Sequence, residues 1–312
     1  MPTPRLDEAA AVLPTPLHHP QRLVYLGTPE MAVAPLAALH DAGFEVALVV
    51  TGADKRRGRR AEPSPTPVKL AAIERGLPVS HVLADAASVA ADLGVVVAYG
   101  RIIRRPLLEL LPMVNLHFSL LPRWRGAAPV ERALLAGDES TGVCVMAVEE
   151  SLDTGGVYAS VDLAIRRTST ADELGAQLTA AGSRLLVDTL RAGLGEPTPQ
   201  EGEPTYAAKI GTQDLRLGWD RPAIDLGRIV RIGGAWTEFR GRRLKVHDAR
   251  PWPAESGPGN PGELHGDRVT CGAGVLQLLE VQPEGKSRTG FVHWANGARP
   301  VDGESFGLGE AS

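Results

Sequence analysis

The first 150 residues of this 312-residue chain alternate short apolar runs with helical patterns, and this alternation constrains the fold more than any other feature. The apolar runs cover residues 22–26, 46–50 and 94–100, with a further strand predicted around Val82. Helical patterns follow the first run to about Gly43 and cover residues 67–76. Strands that are apolar throughout are typical of a parallel sheet with helices on both faces. The sequence therefore predicts an α/β domain with a doubly wound, mostly parallel sheet.

The alternation weakens after about residue 150. A helix is predicted over residues 171–191, and the Gly/Pro/Glu-rich stretch at 194–204 has the composition of a linker. Short β-type runs follow, at 243–247, 262–264, 268–271 and 275–281. Such spacing is typical of a small barrel or sandwich. We therefore divide the chain into a disordered extension (1–20), an α/β domain (21–196), a linker (197–209) and a smaller C-terminal domain (210–312).

Composition and charge exclude several classes of protein. The chain is 43% hydrophobic and 22% charged, as in ordinary globular proteins, and its net charge of −4 is not that of a histone-like polycation. Cys144 and Cys271 are too few for a disulfide framework, and we expect both to be buried in their apolar stretches. No apolar run approaches the ~20 residues of a membrane span, and the first 20 residues lack a signal-peptide pattern. We expect a soluble, cytoplasmic protein with no membrane partner.

Positive charge is concentrated in two places. Five of the six residues from 55 to 60 are basic, namely Lys55, Arg56, Arg57, Arg59 and Arg60. Residues 205–250 contain ten Lys or Arg against five Asp or Glu. A run of charge is by itself compatible with a solvated surface loop. Two basic regions in an acidic chain favour a polyanionic partner.

Two glycine patterns bear on nucleotide binding. Residues 257–262 match Gly-x-Gly-x-x-Gly, but they contain two prolines and lack both a preceding strand and a following helix. We therefore predict a loop there. The first predicted strand ends at Gly27-Thr28-Pro29-Glu30, which has a single glycine. A nicotinamide-dependent enzyme is disfavoured.

A polar pair on a predicted strand is the most informative feature of the first domain. If residues 113–117 form a strand, Asn115 and His117 project from one face near its carboxyl end, where parallel sheets place their ligands. The Asn amide can donate a hydrogen bond to a developing oxyanion, and the His can donate another or carry a proton. Such a pair suits chemistry at an acyl carbon. The alternative is a partly buried pair that is satisfied within the fold.

A carboxylate partner for His117 is available in a later turn. Asp153 lies in the Gly-rich segment 151–156, after a strand predicted at 143–148. A turn there could return the carboxylate to the strand ends, orient the imidazole and favour its cationic form. The alternative is an Asp that serves only its own turn. Spacing does not decide between the two.

The stretch from Asn115 to Pro129 resembles the signature of folate-dependent formyltransferases, and within them the group that acts on methionyl-tRNA. It reads Asn-Leu-His-Phe-Ser-Leu-Leu-Pro-Arg-Trp-Arg-Gly-Ala-Ala-Pro. Supporting segments lie in the expected order at 27–29, 51–69, 97–100 and 152–155. The resemblance runs from about residue 22 to 282 and is strongest before 160. In the C-terminal part it rests on residues 206–210, Trp219, 234–237 and 282–286.

This resemblance implies a Rossmann-like formyltransferase domain followed by an OB-like barrel that binds tRNA. It implies transfer of a formyl group from 10-formyltetrahydrofolate to the α-amine of methionine on initiator tRNA. The family's catalytic residues fall on Asn115, His117 and Asp153. Its folate contacts fall on Ser119, Leu120, Leu121 and Pro122, with Val97, Ala98, Tyr99 and Gly100 as another wall of the pocket. Its tRNA contacts are expected among Lys55, Arg56, Arg57, Arg59, Arg60, Lys209, Arg242 and Arg243.

The chain departs from the family in two places. Phe118 stands where many members have Gly, and the segment between Arg231 and Gly234 is shorter than usual. We expect a tighter wall near the folate and a weaker tRNA contact. The mechanism requires no metal, and we expect a monomer.

Two other functions stay open from the sequence. The same chemistry would serve a folate-dependent formyltransferase acting on a small amine, such as an amino sugar or glycinamide ribonucleotide. The Arg-rich loop and the basic C-terminal region favour a large polyanion instead. A non-catalytic RNA-binding protein that keeps the fold is the other alternative, and the complete Asn/His/Asp set disfavours it.

Overall fold

The computed structural model describes residues 13–56, 62–254 and 256–307. The chain divides into two compact units. The first comprises the described residues up to Pro129, together with Thr141–Leu163 and Gly175–Ala207. The second comprises Val130–Ser140, Ala164–Leu174 and the described residues from Ala208 onwards.

The first unit is built on a seven-stranded sheet with the order β5-β2-β1-β6-β7-β9-β10. Its strands, with two short pairs outside the sheet, are β1 (Arg22–Gly27), β2 (Glu45–Val50), β3 (Lys55–Arg56), β4 (Pro63–Ser64), β5 (Val79–Ser80), β6 (Leu93–Val97), β7 (Met113–His117), β8 (Arg125–Gly126), β9 (Ser140–Ala147), β10 (Val157–Ala164) and β11 (Tyr206–Ala207). Neighbouring strands from β5 to β7 are parallel, and β9 joins β7 antiparallel. The predicted doubly wound, mostly parallel sheet is confirmed.

Helices connect these strands. Those of the first unit are α1 (Val33–Asp41), α2 (Pro67–Glu74), α3 (Arg105–Leu108) and most of α5 (Ala171–Ala192), with short 3-10 turns at Glu30–Ala32 and Leu83–Ala87, whereas α4 (Pro129–Ala136) belongs from Val130 onwards to the second unit. Alternate residues of β1 supply both faces of the sheet. Val24 and Leu26 pack in a cluster with Leu108 of α3, while the Tyr25 hydroxyl donates a 2.6 Å hydrogen bond to the Ala32 carbonyl. Burial on both faces is the physical reason why β1 is apolar throughout.

Two strand predictions need correction. The strand expected around Val82 ends at Ser80, whose hydroxyl accepts a hydrogen bond from the Val82 N–H and turns the chain toward the next 3-10 turn. The strand expected over 94–100 ends at Val97, because Ala98 has a positive φ of 46° that extended backbone does not allow. This early end matters for the site, since Tyr99 and Gly100 then form a loop at the edge of the sheet.

The stretch at 194–204, predicted as a linker by composition, belongs to the first unit and is hydrogen-bonded within it, as are the residues that follow it up to Ala207. Thr198 and Val157 exchange backbone hydrogen bonds, and β11 pairs in parallel with β8. The chain is also anchored before β1, because Leu194 donates from its backbone to the His18 carbonyl at 2.7 Å. The proposed extension at 1–20 is therefore attached at His18, and its residues 1–12 lie outside the described residues.

The second unit contains an antiparallel barrel of OB type. Its strands are β12 (Trp236–Phe239), β13 (Arg242–Trp252), β14 (Glu263–His265), β15 (Arg268–Thr270), β16 (Val275–Pro283), β17 (Thr289–Gly290) and β18 (Glu304–Ser305). The order is β12-β13-β16-β15-β14-β18, and β17 pairs with β16. The register between β13 and β16 shifts around Asp248, and such irregularities bend a strand. Residues 257–262 form a loop, as predicted.

Aromatic side chains contribute to the core of this barrel, and two helices pack against the same core. The helices are α6 (Ala223–Arg231) and α7 (Phe291–Ala298), and a 3-10 turn covers Gln213–Leu215. Trp294 of α7 lies 5.1 Å from Phe239 between ring centroids, and both pack near Phe306. Both helices were missed, because the pattern of short strands dominates this region.

Within the described residues, none of the helices combines the length and the apolar character that crossing a membrane requires.

Candidate active site

The predicted polar pair, Asn115 and His117, lies on a strand, as the sequence pattern predicts. β7 spans Met113–His117, which makes Asn115 and His117 neighbours on one face near its carboxyl end. Asn115 is half-buried, whereas only 5% of His117 is exposed. A polar side chain this deeply buried needs hydrogen-bond partners, because an unpaired one costs about 1–3 kcal/mol.

Asp153 is the carboxylate that meets both residues. Its Oδ1 accepts a 3.4 Å hydrogen bond from Nδ2 of Asn115, and its Oδ2 lies 3.7 Å from Nδ1 of His117. The Asp153 backbone has a φ of 53°, a left-handed conformation that Asp adopts more readily than most residues. The structure thus brings together the three residues that the sequence singled out.

The hydrogen bonds of His117 assign its neutral tautomer. Nε2 lies 2.9 Å from the carbonyl oxygen of Trp124, which can only accept, so Nε2 carries the proton. Nδ1 is then the basic nitrogen and faces the Asp153 carboxylate.

Gly126 supplies a further contact that the sequence did not reveal. Its N–H donates a 2.8 Å hydrogen bond to Oδ2 of Asp153. Gly126 has a φ of 118°, and a Cβ there would lie 2.9 Å from the backbone oxygen of Ala207. Only glycine fits this close approach between β8 and β11 without strain.

Gln200 and Arg125 hold the Asp153 turn from the other side. The Gln200 amide donates to the carbonyls of Asp153 and Gly155, at 2.9 and 2.8 Å. Its oxygen accepts from Nε and an Nη of Arg125, at 3.1 and 2.6 Å. Sequence reasoning missed Gln200, because a Gly/Pro/Glu-rich stretch has no periodicity that signals a side chain turned back onto the fold.

The two predicted folate loops leave neighbouring strands at the same edge of the sheet. Val96 pairs with Asn115, so the residues after β6 lie level with the end of β7. Val97 and Tyr99 are buried, Ala98 is half-buried and Gly100 is exposed. Leu120, Leu121 and Pro122 are half-buried, whereas Ser119 is fully buried and its hydroxyl donates to the Arg123 carbonyl. Phe118, the departure from the family pattern, is 4% exposed.

The predicted basic loop has a well-anchored stem. Lys55 and Arg56 of β3 are exposed and pair with β4, while Arg57, Arg59 and Arg60 lie outside the described residues. At the base, Asp54 forms a 2.7 Å ion pair with Lys69 of α2. The hydroxyls of Thr51 and Thr66 are hydrogen-bonded at 2.8 Å and buried.

The other predicted tRNA contacts lie in the second unit. Lys209 and Arg242 are exposed. The Arg243 guanidinium stacks on Trp236, 4.2 Å from the ring centroid, and Arg216 lies 5.7 Å from the same ring. The Nε of Arg243 is buried without a hydrogen-bond partner among the described residues, so packing on Trp236 fixes this side chain.

A metal site was not predicted. Over the parts of the chain that the structure describes, no group of three or more His, Cys, Asp or Glu side chains is arranged to hold a metal ion.

Two family models match the chain. The first, formyl transferase, matches residues 21–190. The second, formyl transferase, C-terminal domain, matches residues 209–299. The first match alone covers more than half of the chain, and it includes Asn115, His117 and Asp153.

Individual relatives define the group more narrowly. The chain is 41% identical to the methionyl-tRNA formyltransferase of Roseobacter denitrificans over 303 residues, which is 91% of this chain and 98% of the relative. It is 43% identical to that of Leifsonia xyli subsp. xyli over 89% of this chain and 97% of the relative. The chain belongs to the formyl transferase family, in the methionyl-tRNA formyltransferase group. The resemblance predicted from residues 115–129 is confirmed.

Solved structures share the fold. The N-formyltransferase from Helicobacter canadensis, in complex with folinic acid and dTDP-3-aminofucose, gives a TM-score of 0.63 at 15% identity, over 83% of this chain and 98% of that one. HypX from Aquifex aeolicus, in complex with tetrahydrofolic acid, gives 0.61 at 18% identity, over 89% of this chain and 47% of that one. At these identities the likeness concerns the fold alone.

Proposed function

We propose that the chain transfers the formyl group of 10-formyltetrahydrofolate to the α-amine of methionyl initiator tRNA, for translation initiation. The observation that carries this proposal is that the side chains of Asn115 and His117, at the end of β7, both face the carboxylate of Asp153. Relatives that are about 40% identical over nearly the whole chain and carry the name methionyl-tRNA formyltransferase support the reaction and its acceptor.

Asn115 stabilises the oxyanion of the tetrahedral intermediate. The neutral methionyl amine attacks the formyl carbon, a carbon–nitrogen bond forms, and the carbonyl electron pair moves to oxygen. One hydrogen of the Asn115 amide points to Asp153, and the second is a donor for that oxygen.

His117 takes the proton of the attacking amine on Nδ1. The imidazolium formed is stabilised by Asp153, whose Oδ2 lies 3.7 Å away. When the intermediate collapses, the carbonyl re-forms, the bond from carbon to N10 of the folate breaks, and His117 returns the proton to N10. Each residue thus ends the reaction in its starting state.

The two loops at the edge of the sheet fit a folate donor. Leu120, Leu121 and Pro122 offer apolar surface for a flat ring, and the backbone after Val97 offers hydrogen-bonding groups. The complexes of related folds with folinic acid and tetrahydrofolic acid support a donor of this class.

The basic residues favour a tRNA acceptor over a small amine. Lys55 and Arg56 project from a stem that is tied to α2, and Lys209 and Arg242 are exposed. A small amine requires no such set of cations, whereas each contact with a phosphate releases a counterion and adds affinity. A monomeric state and a cytoplasmic location stay predictions.

An acceptor panel tests the reaction. The protein is incubated with 10-formyltetrahydrofolate and methionyl initiator tRNA, uncharged tRNA, free methionine or an amino sugar. We expect transfer to the charged tRNA only. Transfer to the amino sugar alone, with folate bound, would move the acceptor to a small amine, and binding of both substrates without transfer would indicate a non-catalytic protein.

A further inference from the structure

Asp153 depends on a side chain from a distant part of the sequence. Its turn has a left-handed backbone at Asp153, with a φ of 53°. Such a conformation is less favourable than the right-handed one for a residue with a Cβ, and it persists only where the surroundings hold it. The groups that hold the turn therefore decide where its carboxylate lies.

The Gln200 amide contacts this turn twice. It donates to the carbonyl of Asp153 itself at 2.9 Å and to that of Gly155 at 2.8 Å. Both hydrogens of the amide are thus used on the backbone that carries the carboxylate. The turn is also held against β9, because the Ala147 N–H donates to the Gly156 carbonyl at 2.8 Å, and the approach is so close that a Cβ on Gly155 would lie 2.1 Å from the backbone oxygen of Ala147.

Arg125 in turn fixes Gln200. Its Nε and one Nη donate to the Gln200 Oε1 at 3.1 and 2.6 Å, which assigns the orientation of the amide because a guanidinium can only donate. Arg125 is adjacent to Gly126, whose N–H binds Oδ2 of the same Asp153. The carboxylate and the backbone of Asp153 are therefore held through one short segment, residues 125–126.

The segment that carries Gln200 is itself attached. Thr198 exchanges backbone hydrogen bonds with Val157, at 2.8 and 2.9 Å. Five residues after Gln200, the Thr205 hydroxyl accepts from the Trp124 N–H at 2.9 Å, and its carbonyl accepts from the Arg125 N–H. Gln200 thus lies in a segment that is hydrogen-bonded to the rest of the unit on both sides of it, at Thr198 and at Thr205.

We infer that Gln200 is a positioning residue for formyl transfer, which sets the place of the Asp153 carboxylate beside His117 and Asn115. The inference rests on the proposed function, since it assigns Gln200 a role only if Asp153 takes part in the reaction. Gln200 does not touch the reacting atoms. Its effect passes through the Asp153 turn, and Arg125 is the group that orients it.

Gln200→Ala removes both donor hydrogen bonds to the turn. We expect kcat to fall by roughly 10- to 100-fold, because displacement of a catalytic group by about 1 Å has effects of that size. The KM values for folate and tRNA are expected to change by less than about threefold, since Asp153 acts after binding. Gln200→Glu keeps an acceptor for Arg125 but places a carboxylate against two carbonyls, so it is expected to be impaired as well. Gln21→Ala is the matched control and is expected to have normal kcat. Gln21 is an exposed glutamine just before the amino end of β1, whereas the site lies at the carboxyl ends of the strands.

A double-mutant cycle separates positioning from a general structural role. In an Asp153→Asn background, Gln200→Ala is expected to have almost no further effect on single-turnover rate, because the group it positions is already lost. An effect as large as in the wild-type background would overturn the inference. So would normal kcat in Gln200→Ala, provided that Asp153→Asn is impaired. Normal turnover in Asp153→Asn would instead overturn the proposed role of Asp153, and the two failures are thus distinguished.

Discussion

The backbone N–H of Gly126 donates a 2.8 Å hydrogen bond to the carboxylate of Asp153. The two residues are 27 positions apart in the sequence, and Gly126 is itself held in place by the pairing of β8 with β11. An ionised carboxylate can only accept hydrogen bonds, and a backbone N–H is a donor that cannot rotate away. Gly126 therefore fixes the oxygen that lies beside His117.

Gly126→Ala tests this relationship. The substitution adds a Cβ that would lie 2.9 Å from the Ala207 oxygen, on a backbone with a φ of 118°. We expect a loss of about 1–3 kcal/mol in the free energy of unfolding from backbone strain and a fall in kcat of roughly 10- to 100-fold. Gly43→Ala is the control, because Gly43 has a φ of 92° and no heavy atom near the added Cβ. It is expected to lose stability alone, and an equal loss of kcat in both variants would contradict the account.

Asn115→Asp tests the oxyanion donor with almost no change in shape. The new carboxylate has no hydrogen to donate and stands next to Asp153, whose Oδ1 is 3.4 Å from the native amide nitrogen. We expect kcat to fall by about 10²–10³, the usual effect of removing one such donor. The KM for folate and the circular dichroism spectrum are measured in parallel. A variant that folds and retains kcat within about threefold would rule out Asn115 as the donor.

The basic loop is tested by its salt dependence. Replacing Arg56, Arg57 and Arg59 together by Ala is expected to raise the KM for tRNA. The fall of log affinity with log salt concentration is expected to become shallower by about 2 to 3, since each phosphate contact contributes about one to the steepness of the slope. Folate affinity is expected to stay the same. Arg184→Ala, an exposed arginine of α5, serves as control. An unchanged salt slope in the triple variant would remove the loop from the tRNA contact.

Cys271 predicts a loss of stability at alkaline pH. Burial raises the pKa of its thiol to about 12, whereas an unfolded thiol titrates near about 8.5. Between these values the unfolded chain releases a proton that the folded chain retains, so stability falls as pH rises, by at most about 1.4 kcal/mol per pH unit. Urea unfolding from about pH 8 to about pH 10 is expected to show this slope, and Cys271→Ala is expected to reduce it. Equal slopes in the two proteins would show that this thiol does not contribute.

The sequence predicted the site better where its residues lie on regular structure. Asn115 and His117 lie on β7, and a period of two is enough to place them on one face. Their meeting with Asp153 required the resemblance to a family, because the turn at Asp153 has a φ of 53° that no periodic pattern signals. Gln200 was not found at all, since its contacts depend on how a segment without regular structure returns to the sheet.

In the C-terminal unit, too, the sequence predicted regular strands but missed an element that depends on tertiary packing. The runs that form β13 and β16 were predicted, with bounds shorter than those observed at Arg242–Trp252 and Val275–Pro283. The helix Ala223–Arg231 was missed. Its apolar residues pack inside the unit next to strands from a later part of the chain, and such tertiary burial is not visible to local patterns.

Single-turnover kinetics test most directly the proposal that Asn115, His117 and Asp153 form a formyl-transfer site. Enzyme in excess is mixed with labelled 10-formyltetrahydrofolate and methionyl initiator tRNA, and formylmethionyl-tRNA is measured over time for the wild type, His117→Ala and Asp153→Asn. We expect rapid formylation by the wild type and rates at least about 10²-fold lower in both variants, with both substrates still bound. Formylation at the wild-type rate by either folded variant would contradict this proposal.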